Sequence, residues 1–315
     1  MQTLTRTARH GFTLIEMAIV ISIIAVAGIM VLKASGGMLD ANKRLAVRAT
    51  LDTVDTALAN FVASSKRLPC PADGAIPSGA LNAGVELFNP ATGACNPVTQ
   101  MRGVIPWVTL GLSENDASDP WLGRLTYRVD PALAARAPLT QLMNMSNCDP
   151  AATGPAGPSG ACVAPATVCT GSPSCTSPAN FLTGKGLDVW DGLNAGPGFA
   201  QRQNNRAGGT GAAYVVISHG PNGIRAYNRN GTLQPGTMAG HLQNEQPNYN
   251  SQPLVLLATS ADVYRDAPLN ENPALLPTPP GPPPPPQTQY HADDYLSHPT
   301  IMAVLNRANL GPRAH

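Results

Sequence analysis

Residues 12 to 32 read FTLIEMAIVISIIAVAGIMVL, an unbroken apolar run whose only charge is Glu16. A helix of these 21 residues spans roughly 31 Å at about 1.5 Å per residue, the thickness of a bilayer's hydrocarbon core. A secretory signal peptide has a shorter apolar region, about 7–15 residues, and a small-residue cleavage site after it. Here the run is longer, and AVAGIM imitates such a site weakly. A plain membrane anchor has no use for Glu16. An acidic side chain at the centre of a membrane helix costs about 2.5–3.5 kcal/mol, less near an end, and is retained for a partner.

A short basic prefix with Arg6 and Arg9 precedes G-F-T-L-I-E, and about twenty apolar residues follow. In these residues, RHGFTLIEMAIVI, the chain resembles the leader of type IV prepilins and type II secretion pseudopilins. The resemblance implies that a prepilin peptidase cuts after Gly11 and methylates the new amine on Phe12. Glu16 then becomes the fifth residue of the mature chain. Its carboxylate meets the N-terminal ammonium of a neighbouring subunit, so that two charges, each unfavourable alone in an apolar setting, offset one another. The implied partners are the peptidase, other pilin or pseudopilin subunits and an inner-membrane assembly platform. The implied location is the bacterial inner membrane, single-pass, and then a pilus or pseudopilus. Charge alone does not orient the span: Arg6 and Arg9 precede it, but Lys33, Lys43, Arg44 and Arg48 follow. The cysteines, with the leader, place the C-terminal body in the periplasm.

Those six cysteines, Cys70, Cys95, Cys148, Cys162, Cys169 and Cys175, all follow the apolar run, and no two form a C-x-x-C pair. Zinc sites ordinarily use closely spaced ligand pairs, so this spacing suits disulfides and an oxidising compartment. Six cysteines allow 15 connectivities. Sequential pairing, Cys70 with Cys95, Cys148 with Cys162 and Cys169 with Cys175, is the simplest, and six free buried thiols are the alternative. Charged residues make up only 12% of the chain, the net charge is +1, and Gly and Pro number 30 and 32. That composition predicts a turn-rich β domain and lacks the basic patch that nucleic acid requires.

Beyond Gly36 and Gly37, which would let a long helix bend or melt, Val47, Leu51, Val54, Leu58 and Phe61 recur at steps of four, three, four and three. This draws one apolar stripe along an amphipathic helix, with Arg44, Arg48, Asp52 and Asp55 on its polar face. A short coiled coil is the alternative reading. Pro69 and Pro71 end the helix. Strand-like runs follow at 103–112, 124–129, 213–219, 223–228 and 253–260, with PNG at 221–223 as a hairpin turn. The fold expected is α+β: a long N-terminal helix, transmembrane then amphipathic, packed on an antiparallel sheet with long disulfide-containing loops. It resembles the type IV pilin arrangement. LPCP, IPWVTLGL and DPWLGRLTYRV are similar to strings that follow the spine in some pilin-like proteins, and VVISHGPNG is similar to a late pseudopilin hairpin.

The expected organisation is a leader at 1–11, a transmembrane half-spine at 12–32, an amphipathic half-spine at 33–66 and a β-rich body at 67–276 containing a Cys-rich loop at 144–210. A Pro-rich linker at 277–289 and a terminal segment at 290–315 complete it. The stretch LLPTPPGPPPPPQTQ reads as a stiff polyproline II strut. The terminal segment reads as a strand or helix returning to the body.

No catalytic constellation stands out, and the chain reads as a non-enzyme. GPAGPSG and GGTGAAY lack the setting of a phosphate loop. Ser218 and His219 are neighbours in a predicted strand and point to opposite faces, so they cannot pair with each other. Asp293 and Asp294 are similar to an acidic C-terminal loop by which some pseudopilins bind calcium; two solvated acids capping a turn are the alternative. No other cofactor is expected. Major pilins are commonly about half this size, and large loops crowd a repeating surface. The chain therefore reads as a minor or tip subunit of a type IV pilus. A secretion pseudopilin and a tip adhesin are the other readings.

Overall fold

Helix α1 runs from Leu14 to Ser65, 52 residues without interruption. The structure is a computed structural model. It describes residues 14–96, 99, 103–135, 142–157, 160–163, 175–190, 202–235, 248, 263–266 and 293–315, with the side chains of 26–38 excepted. Gly11, Phe12, Cys169, the expected strand at 253–260 and the Pro-rich stretch at 275–289 lie outside the described residues. The Gly36–Gly37 pair neither melts nor breaks the helix. A glycine in a helix interior costs about 1 kcal/mol, and two are outweighed by the helix-forming residues on both sides.

The chain divides into two compact units, residues 1–46 and 47–315, so the division falls inside α1. In the first unit the described side chains of the apolar run, residues 14–25, are exposed. Among the described residues no helical stretch is both long and apolar enough to cross a membrane.

The second unit starts with the C-terminal part of α1. Val47, Leu51, Val54 and Leu58 are buried as the stripe predicts, but the next buried residue is Val62 and not Phe61. At about 100° per residue the two flank the stripe's centre line nearly equally. The smaller valine enters the core, and the half-buried phenyl ring of Phe61 lies under the Arg67 guanidinium, 5.1 Å from its centroid. Lys66, in the left-handed region at φ 56°, ends the helix, and the prolines at 69 and 71 keep it ended.

Among the described residues two small sheets lie beyond it. The first has the order β1 (Thr126–Val129), β4 (Tyr214–Ser218), β6 (Tyr295–Ser297), both pairs antiparallel, with Tyr127 opposite Val216 and Ile217 opposite Leu296. Every residue of β4 is buried. Tyr214 and Val216 enter the core that contains the α1 stripe, whereas Val215 and Ile217 join a second cluster with Leu187, Val189 and Tyr264. Burial on both faces is why AYVVIS reads as continuously apolar and does not alternate. The second sheet, in the order β3 (Arg202–Asn204), β2 (Asp188–Trp190), β5 (Val263–Arg265), has a parallel β2–β5 pair that the sequence pattern did not announce.

Two expected strands are absent. Residues 103–112 form a bridge at Val104 and then the short helix α2 (Trp107–Leu110). Pro106 has no N–H for a ladder, and Gly111 closes the helix in the left-handed conformation at φ 71°. Residues 223–228 form turns and an isolated bridge at Tyr227, so PNG does not join two strands. Short helices α3 (Pro131–Ala134) and α4 (Pro178–Leu182) are N-capped by Asp130 and Ser177.

The terminal segment supplies both a strand and a helix. After β6, Thr300 caps α5 (Ile301–Arg307) by accepting from Ala303 N at 3.2 Å, and Ile301, Val304 and Leu305 enter the main core. Disulfides join Cys70 to Cys95 and Cys148 to Cys162, and Cys175 is also disulfide-bonded. The free-thiol alternative is thereby excluded for the described cysteines.

Candidate assembly site

Glu16 stands exposed in the first turn of α1. Around Glu16 the apolar side chains are open, with Leu14 91% and Ile15 69% exposed, and Ile19, Ile21, Ile23 and Ile24 also uncovered. A patch of this extent marks an interaction surface. Its chemistry is that of a helix which packs against apolar neighbours and carries one acid to meet one cation.

Toward its C-terminal end α1 is tied into the body by an acid that the sequence pattern places on the solvent face. Asp55 is turned inward: its Oδ1 accepts from Tyr214 Oη at 3.0 Å and its Oδ2 from Ser297 Oγ at 2.6 Å. Burial raises the Asp55 carboxyl above its ordinary value, against the hydrogen bonds and the Arg307 guanidinium, which lower it. Burial also lifts the Tyr214 phenol well above its usual range, so the hydroxyl stays a donor. A crevice of about 300 Å³ opens beside this triad, lined by Asp55, Ala59, Tyr214, Pro299, Ala303 and Arg307.

The turn after α1 is held by Glu86. Its carboxylate takes both arms of Arg67 at 2.7 and 2.8 Å and the N–H of Cys70 at 3.0 Å. The Cys70–Cys95 bridge closes the same corner. Arg124, 1% exposed, reaches the carbonyls of Gly74 and Ile76 at 2.8 and 2.7 Å and Glu114 at 2.8 Å, and its guanidinium lies 5.0 Å from the Trp107 ring centroid. Neither residue was marked by the sequence, because a buried arginine and a surface one share the same local pattern.

Ser218 and His219 diverge as the strand alternation predicts. Ser218 Oγ donates to Asp119 Oδ2 at 2.8 Å. His219 lies 2.9 Å from Thr126 Oγ1 through Nε2, and its Nδ1 faces Asp294 Oδ1 at 3.4 Å without a hydrogen bond. Thr126, His219 and Asp294 are all buried, so this line of hydroxyl, imidazole and carboxylate braces β1, β4 and the terminal segment against one another.

Asp293 and Asp294 are buried too, which removes the reading of two solvated acids. Asp293 accepts from Asn222 N at 3.1 Å and Asn222 Nδ2 at 2.7 Å, one on each oxygen, and Asp294 accepts from Asn248 Nδ2 at 2.9 Å. Calcium requires a shell of oxygen ligands, whereas these carboxylates face N–H donors. Among the described residues no group of three or more His, Cys, Asp or Glu is placed to hold a metal ion.

Residues 6–32 match the family model of the prokaryotic N-terminal methylation motif, the signature of prepilin-type proteins. Over those residues the chain is similar to the N-termini of prepilin-type proteins. No curated protein and no solved structure matches the chain.

Proposed function

We propose that this protein is a structural subunit, minor or at the tip, of a type IV pilus. Residues 12–32 hold the precursor in the inner membrane as a single span, with the body on the periplasmic side. Cleavage after Gly11 and methylation at Phe12 create the mature terminus, and the assembly platform then draws the chain into the filament. Within the filament Glu16 sets the register by meeting a neighbour's terminal ammonium. The role is one of assembly and not of catalysis.

The observation that carries this reading is the methylation motif at 6–32 continuing into a helix with Glu16 in its first turn. The disulfides accord with a periplasmic body. A pseudopilin of a type II secretion system would share the same motif, and the genes beside this one separate the two readings. The test is the mass of the mature N-terminus. A chain beginning at N-methylated Phe12 is expected; cleavage after the apolar run, or no cleavage, would overturn the proposal.

A further inference from the structure

The crevice of about 300 Å³ between α1 and α5 lies wholly within the second unit and has a charge on each side. Asp55 stands on the α1 side and Arg307 at the end of α5. They face the same space without forming an ion pair with each other, and among the described residues nothing accepts from the Arg307 guanidinium. The Asp55 carboxylate is held by Tyr214 on one oxygen and Ser297 on the other. Each oxygen keeps a further lone pair, and the guanidinium keeps its full fork of N–H donors. Between the two charges the walls at Ala59, Pro299, Ala303 and Val304 are apolar.

We propose that this crevice binds a free α-amino acid with a short aliphatic side chain, its ammonium on Asp55 and its carboxylate on Arg307. A purely anionic ligand would meet Asp55 and a purely cationic one Arg307, so the complementary ligand is neutral overall and charged at both ends. Ligand pockets run from about 300 to 1,000 Å³, and a crevice at the bottom of that range takes a small molecule. The side chain lies against Ala59, Pro299, Ala303 and Val304. Both polar contacts are charge-assisted hydrogen bonds, about twice as strong as neutral ones, and the planar fork of an arginine matches a carboxylate. Because Tyr214 and Ser297 already fix Asp55, the acid loses little freedom when the ligand arrives. The bound ligand ties α1 to α5 and stabilises the folded chain by mass action. The inference is independent of the assembly reading, since every residue it uses lies beyond residue 46.

Titration calorimetry of the full chain in detergent tests this with L-leucine, which carries both charges, leucinamide, which keeps only the ammonium, and N-acetyl-leucine, which keeps only the carboxylate. Leucine should bind about ten-fold or more tightly than either, the least expected from losing one charged hydrogen bond. Arg307→Gln should bring leucine down to the affinity of leucinamide, and Asp55→Asn should bring it to that of N-acetyl-leucine. Arg307 is exposed, so its replacement does not disturb the core, and the melting curve of the variant verifies that it is folded. No heat of binding from leucine, or undiminished binding in Arg307→Gln, would overturn the proposal. Leucinamide or N-acetyl-leucine binding as tightly as leucine would overturn it too, in favour of the terminus of a peptide chain.

Discussion

Tyr214 donates to Asp55 at 3.0 Å across 159 residues of sequence. With Ser297 donating to the other oxygen, one carboxylate joins α1, the central strand β4 and the terminal strand β6. This single group decides how the lower part of the spine meets the sheet.

Replacing Asp55 with alanine leaves a buried phenol and a hydroxyl without their acceptor. An unsatisfied buried donor costs about 1–3 kcal/mol, so Asp55→Ala should lower stability by that order, and Asp55→Asn by less, because an amide oxygen can still accept. Denaturant unfolding of the mature chain in detergent measures it. Burial raises the Asp55 carboxyl, and those of Asp119 and Asp130, above the ordinary value. The folded state then binds more protons than the unfolded state in the window above the ordinary carboxylate pKa. The contribution of these groups is present below that window and is lost as pH rises through the raised values. Asp55→Asn should flatten this decline, and an unchanged pH profile would exclude Asp55 as its source.

Lys185 titrates in the opposite sense. Burial lowers its amine to about 8, with Asp130 acting against the shift, while the ammonium lies 3.5 Å from the Phe181 ring centroid. Between about 8 and the unfolded value near 10.4 the unfolded chain binds more protons, so stability rises with pH through that window. The melting temperature of Lys185→Met relative to the parent should fall from pH 7 to pH 10, because only the parent gains. A constant difference would show that the amine does not change its charge on folding in this range.

The two described bridges close loops of different length, with sequence separations of 25 for Cys70–Cys95 and 14 for Cys148–Cys162. Loop-closure entropy alone assigns them about 3.5 and about 3 kcal/mol. Removing the first should cost more, since Cys70 also holds the corner where Glu86 binds Arg67. Denaturation midpoints of the paired serine variants provide the comparison, and a larger loss from the second pair would reverse this ranking.

Calcium should leave the melting temperature unchanged. The carboxylate oxygens of Asp293 already accept from Asn222, and a cation would have to displace those donors. Asp293→Ala should destabilise the chain equally with calcium and with a chelator; a calcium-dependent rise in melting temperature that Asp293→Ala abolishes would support the metal reading.

Much of this protein is legible one residue at a time. Glu16 in its apolar run, the end of α1 before Pro69, the stripe from Val47 to Leu58, strands β1 and β4 and the first two disulfides depend on local pattern or short spacing. The misses have local causes that the pattern conceals. The run at 103–112 has strand composition, but Pro106 interrupts a ladder and Gly111 closes a helical turn. At 223–228 the run is apolar enough for a strand, yet turns occupy it.

The sequence by itself determined that α1 is long, apolar at its start and acidic at one position, and that the chain bears a prepilin-type N-terminus. Those properties are written along a single helix, where neighbours three and four residues apart define every face. Only the tertiary structure decided that Asp55 points inward, that Arg124 is buried, that β2 and β5 run parallel and that Asp293 and Asp294 serve hydrogen bonds. Each of these depends on partners far away in the chain. Whether a charge faces water or a donor depends on what folds against it, and local pattern does not carry that information.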